Sequence, residues 1–227
     1  MNRSLSIVRA NSNILKFSLF VFILAVALQG VLDTVFNMSG INDTIGISFA
    51  NVITIFLLVV PLILPLYFFR RLLSLGASRR DYMKGIIWTY VFYSIIFSLF
   101  NILWFLFENN YLNPSVREYF NIMALFNWDR SGVVGMFLYQ FFSYLLVISF
   151  INLLVSCYKH VLGIGLYIAL SIIIPVSMAI GTLREGVGIG LSYLLFNPSI
   201  VMQIVLSSIV TIILFYCSWW FIKRREL

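Results

Sequence analysis

The chain has 227 residues, of which 62% are hydrophobic and only 10% charged. A soluble globular domain carries roughly 25% charged residues and about half apolar ones, so this composition excludes an ordinary soluble domain. The net charge of +7 does not argue for nucleic acid, because the basic residues stand at the ends of apolar runs, where lipid headgroups lie; no nucleic-acid partner is expected.

Residues 1–16 mix Leu5, Ile7, Val8, Ile14 and Leu15 with Arg3, Arg9 and Lys16, which predicts a short amphipathic helix in the membrane interface. Six apolar stretches follow, at about 17–36, 47–69, 85–107, 132–156, 161–181 and 199–222. Each is long enough to cross about 30 Å of hydrocarbon at ~20 residues per helix. They are apolar on all sides, so transmembrane helices are expected rather than the alternating strands of a barrel. The first run imitates a signal peptide at Ala25-Val26-Ala27, yet apolar character resumes with Val31, Leu32, Val35 and Phe36. It is therefore expected to stay as a span. The reading is an all-α integral membrane protein with one transmembrane domain over 1–227.

With the N-terminus inside, twelve of the 15 Lys and Arg residues fall on the inner side, and only Arg117, Arg130 and Arg184 fall outside. That asymmetry predicts a multi-pass protein of the plasma membrane with both termini cytoplasmic. Cys157 and Cys217 then lie near cytoplasmic helix ends and are read as reduced and structural. The second span carries Pro61 and Pro65 and the fifth carries Pro175, each a candidate kink because proline removes a backbone donor. The outer loop at 108–131 is long and carries Glu108, Asp129 and Arg130. Residues 182–198 are too apolar for a plain loop and too short to span, which suits a re-entrant or interfacial hairpin before the last span.

The densest charge lies between the second and third spans, in Phe68–Gly85, FFRRLLSLGASRRDYMKG. Arg70 and Arg71 anchor the second span at the headgroups, and Leu72, Leu73 and Leu75 continue an apolar face. Gly76 is suited to stop that helix in the left-handed conformation. Ser78 would cap a new helix with Asp81 three residues on, a weak capping box because Glu or Gln is the usual partner. The expected form is helix, tight break, helix, re-entering the membrane at Gly85. A plain turn needs only a few residues, as at Cys157-Tyr158-Lys159-His160.

The stretch Ser74-Leu75-Gly76-Ala77-Ser78-Arg79-Arg80-Asp81-Tyr82 resembles the coupling-helix signature of the membrane subunits of type-2 ABC exporters. Six spans, an N-terminal interfacial helix and a re-entrant segment before the last span belong to the same resemblance. It implies that Gly76, Ser78, Arg79, Arg80, Asp81 and Tyr82 enter a cleft of a separate ABC ATP-binding subunit, which holds the ATP and Mg. It further implies a lesser contact through Tyr158, Lys159 and His160, and a second permease copy or homologue as partner, all within membrane lipid.

The chain has no GxxxxGK[ST] loop, no HExxH and no GxSxG, so it is not expected to be an enzyme or to hold a cofactor or metal itself. His160 is the only histidine and has no positioned partner in the pattern. Asp33, the only acidic residue within a span, lies near its outer end, which leaves no acid pair for proton coupling. The apolar, aromatic spans suit export of a hydrophobic or amphipathic cargo such as a peptide, an antibiotic or a lipid-like molecule. Three alternatives stay open: a six-span binding component of a vitamin or metal importer, a sensor or enzyme whose basic loop holds anionic lipid, and an assembly factor.

Overall fold

The computed structural model describes Lys16, Phe20, Ile23, Leu24 and Ala27 and residues 46–111 and 119–225. The expected interfacial helix over 1–16 and nearly all of the expected span over 17–36 lie outside the described residues. Among the described residues, five helices are long and apolar enough to cross a membrane: Phe49–Ser74, Arg79–Asn110, Trp128–Cys157, Val161–Ala179 and Ile200–Arg224.

In chain order, β1 (Gly46–Ile47) leads into α1 (Phe49–Ile63), a π-helical turn (Leu64–Phe68) and α2 (Phe69–Ser74). A bend at 75–78 precedes α3 (Arg79–Tyr111), and β2 (Tyr119–Phe120) pairs in parallel with β1. Then come α4 (Ile122–Leu125), a 3-10 turn (Trp128–Ser131), α5 (Gly132–Cys157), α6 (Val161–Ala179), α7 (Gly181–Leu195) and α8 (Ile200–Arg224). Apart from the two-residue bridge, the described architecture is all-helical.

The hydrophobic runs therefore become helices where their length demands it, because backbone groups in hydrocarbon must be satisfied within the segment. Polar extensions at both ends make α3 longer than its apolar run. The 33 residues of α3 extend about 50 Å at ~1.5 Å each, against ~30 Å of hydrocarbon.

Two sequence expectations are corrected here. The segment after the bend is not a discrete short helix that turns at Gly85; Arg79–Lys84 are the first turns of α3, and Gly85 lies inside it. One glycine within a helix costs only about 1 kcal/mol, and no proline stands nearby to stop propagation. The segment before the last span is not a hairpin but a single helix, α7, with no buried residue. Its break from α6 falls at Ile180, whose backbone is extended.

The central helix is α5, which packs on α1, α3 and α8. One core cluster joins Leu57, Val60, Phe69, Tyr82, Ile86, Tyr90, Ile148 and Ile222. A smaller one joins Ile102, Phe105, Met123, Trp128, Met136 and Tyr139. Apolar packing alone has little driving force between helices in lipid, so interhelical polar pairs carry part of the specificity. Asn101 donates to Thr54 at 2.9 Å and also to the Tyr144 hydroxyl, linking α3, α1 and α5. Tyr90 donates to Asn152 at 2.9 Å, and Gln203 donates to Ser143 at 3.2 Å. Where α5 turns into α6, the close approach requires glycine: a Cβ on Gly163 would sit 1.8 Å from the Cys157 carbonyl oxygen.

Candidate functional site: the basic end of the bundle

The bend at 75–78 is built by backbone chemistry local to it. Gly76 takes φ +83°, the left-handed region that L side chains rarely enter. The amide of Gly76 then bonds the Leu73 carbonyl at 3.0 Å, and that of Ala77 bonds the Leu72 carbonyl at 3.1 Å. This pair is a Schellman stop, which satisfies carbonyls at the end of α2. Ser78 starts α3: its Oγ accepts from the Asp81 amide at 3.1 Å and donates to Asp81 Oδ2 at 2.7 Å. The short Asp81 side chain closes the capping box through the hydroxyl, where a longer Glu would reach back to the Ser78 amide.

The six residues singled out around this bend have different fates. Gly76, Ser78 and Asp81 shape the backbone. Tyr82 is fully buried, edge-on to Phe69 with ring centres 5.1 Å apart, and its hydroxyl has no hydrogen-bond partner among the described residues. Arg79 is half-buried and donates to the Lys223 carbonyl at the end of α8. Arg80 stands exposed, as do Arg71, Lys84 and Leu75, the last with 76% of its surface open. The apolar face expected of Leu72, Leu73 and Leu75 divides accordingly: Leu72 is buried, Leu73 packs on the core, and only Leu75 projects.

The shorter turn reaches the same end of the bundle. His160 caps α6, its Nδ1 accepting from the Leu162 amide at 3.2 Å. Its ring lies 5.4 Å from both Trp220 and Phe221 on α8. Lys159 is exposed and Tyr158 half-buried. Pro61 and Pro175 lie inside α1 and α6, whereas Pro65 lies in the π-helical turn, where the helical bonding pattern changes.

Sequence reasoning missed two residues. Arg225 is buried, with 8% of its surface exposed; it donates to the Pro65 carbonyl at 3.1 Å and lies 4.7 Å over the Phe69 ring. In the sequence it is simply one member of a terminal basic run. At the opposite end, Glu108 reads as a loop charge but is buried as the acceptor for Ser48 (2.7 Å), Trp104 (2.6 Å) and Asn121 (2.9 Å). The (i, i+4) spacing of Trp104 and Glu108 was a local signal; the other two partners were not legible.

No group of three or more His, Cys, Asp or Glu side chains suited to a metal occurs among the described residues. The basic end offers a projecting leucine, exposed cations and a stiff continuous helix. The class these features define is a multi-pass helical membrane protein with a structured basic end. Against protein-family models, curated proteins and solved structures, the chain finds no match.

Proposed function

We propose that this chain is the permease subunit of an ATP-driven exporter resembling the type-2 ABC class, carrying a hydrophobic or amphipathic cargo across the plasma membrane. The observation that carries the reading is the bend at 75–78, a Schellman stop and a serine cap that hold Leu75 and Arg80 outward at the head of α3. A plain connection between two spans requires neither device.

In this reading the basic end is cytoplasmic and the bend sits in a cleft of a separate ABC ATP-binding subunit, which supplies ATP and Mg. Closure of that subunit would push on Leu75 and Arg80. The push would pass into α3 because Arg79–Lys84 are continuous with it, and into α8 through the Arg79–Lys223 bond. Tyr158, Lys159 and His160 would make the lesser contact. The exposed apolar faces of α6 and α7 leave room for a second permease copy or homologue.

The test is a mild-detergent pull-down of the tagged chain from its native host, with mass spectrometry of the retained proteins. An ABC ATPase should be retained by the native chain and lost from Arg80→Glu. Arg80 is the clean position because Arg79 also holds α8. If no ATPase is retained under conditions that preserve known complexes, the exporter reading falls.

A further inference from the structure

Where α2, α5, α6 and α8 meet at the basic end, they leave a cleft of about 390 Å³. Arg70, Lys159, Arg224 and Arg225 line it together with His160, and among the described residues no carboxylate does. Like charges gathered in a concave site focus a positive field that attracts an anion. Aromatic faces answer part of it: Arg224 lies 3.8 Å from the Trp220 ring centre, and Arg225 is engaged by Phe69 and the Pro65 carbonyl. Arg70 and Lys159 are exposed.

A second observation is independent of charge. Ser156 lines the same cleft with only 3% of its surface exposed, and its Oγ has no hydrogen-bond partner among the described residues. Ser149, Ser207 and Ser218 donate to carbonyls of their own helices, at 2.7, 2.5 and 2.9 Å, whereas Ser94 and Ser98 share the unpaired state of Ser156 but do not line the cleft. A buried hydroxyl left unpaired is destabilising, so an acceptor that enters the cleft far enough to reach it would relieve that cost. His160 adds a further donor: with Nδ1 accepting from Leu162, the neutral ring carries its proton on Nε2. The 19-residue α6 also begins here, and its positive end favours an anion.

Guanidinium, ammonium, hydroxyl and imidazole groups together make a cationic site rich in hydrogen-bond donors, the complement of a phosphate group. Its position selects the source. The cleft lies where the apolar spans end, and Val161 and Leu162 beside it are 80% and 60% exposed. A soluble phosphate has no use for that apolar border, whereas an acyl chain does. We propose that this cleft binds the phosphate headgroup of an anionic phospholipid, with Arg70, Lys159 and Arg224 as charge partners and Ser156 and His160 as hydrogen-bond donors. Leu75 and Arg80, the main ATPase contacts of the proposed function, do not line it; Lys159 and His160, its lesser contact, do.

The experiment is native mass spectrometry of the full chain with equimolar phosphatidylglycerol and phosphatidylcholine. One equivalent of the anionic lipid should be retained preferentially, and Lys159→Gln with Arg224→Gln should weaken that preference by about thirtyfold, the scale set by two cations near an anionic surface. Ser156→Ala, which leaves every charge in place, should weaken it several-fold, and Arg80→Gln should leave it unchanged. Equal retention of the two lipids, or equal loss with Arg80→Gln, overturns the proposal. Displacement of the lipid by inorganic phosphate or glycerol phosphate at comparable concentration would make this a soluble-phosphate site. Displacement by an acidic phosphopeptide would make it a protein-docking site. Either result overturns the lipid assignment.

Discussion

The guanidinium of Arg225 donates to the carbonyl of Pro65 at 3.1 Å, across 160 residues of sequence. It joins the end of the last helix to the π-helical turn that follows α1. The same side chain lies over Phe69 and 5.2 Å from the Tyr158 ring centre, so one buried cation contacts three segments.

Arg225→Ala should therefore destabilise the fold by about 1.5–3 kcal/mol, the scale of a hydrogen bond to a charged group. Arg225→Lys should recover only part of this, because an ammonium cannot reproduce the planar stacking of a guanidinium. Thermal unfolding in detergent, followed by tryptophan fluorescence, checks both. Equal melting temperatures for all three proteins would show that the bond contributes nothing.

At the bend, Gly76→Ala should cost about 1–2 kcal/mol, because a Cβ is unfavourable in the left-handed region even where space is open. Gly76→Asn should cost less, since asparagine enters that region more readily. Limited proteolysis of the segment 74–80 reads the effect directly, with cleavage fastest in the alanine variant.

Glu108 accepts from three side chains, and a glutamine there would present a donor to at least one of them. Glu108→Gln should destabilise by roughly 1–3 kcal/mol, the cost of leaving buried polar groups unpaired. The Asn121→Ala variant should show a smaller loss, and the double variant less than the sum, because the two share one bond. Thermal unfolding of the four proteins gives the cycle.

Pro65 stands in the turn that leads from α1 to the basic bend. If that irregular turn acts as a lever in transport, Pro65→Ala and Pro61→Ala should lower the transport rate while the protein remains folded. Unchanged transport in a folded double variant would remove the lever from the mechanism.

Much of the architecture was legible from local patterns. Five expected spans reappear within a few residues of their apolar limits, with α5 at Gly132–Cys157 against an expected 132–156. Gly76 and Ser78 were legible for the same reason, since a left-handed stop and a capping hydroxyl are chosen by their immediate neighbours. The helix through Gly85 was misjudged because the span was taken to begin where the apolar run begins, and α7 because its length, short of a full span, was taken to require a hairpin. Within a run of helix-forming neighbours Gly85 is only a weak point.

By itself the sequence determined a membrane-spanning helical chain, a concentrated basic end and a sharply built bend within it, because hydropathy, charge and turn chemistry act over a few residues. Only the tertiary structure decided that Tyr82 belongs to the core and that Arg79 is tied to the carbonyl of Lys223, 144 residues away. It alone buried Glu108 and Arg225 and gathered Arg70, Lys159 and Arg224 around an unpaired Ser156. The physical reason is that a buried polar group is defined by the partners packed around it, and these come from distant helices whose periodicity carries no record of which neighbour each face will meet.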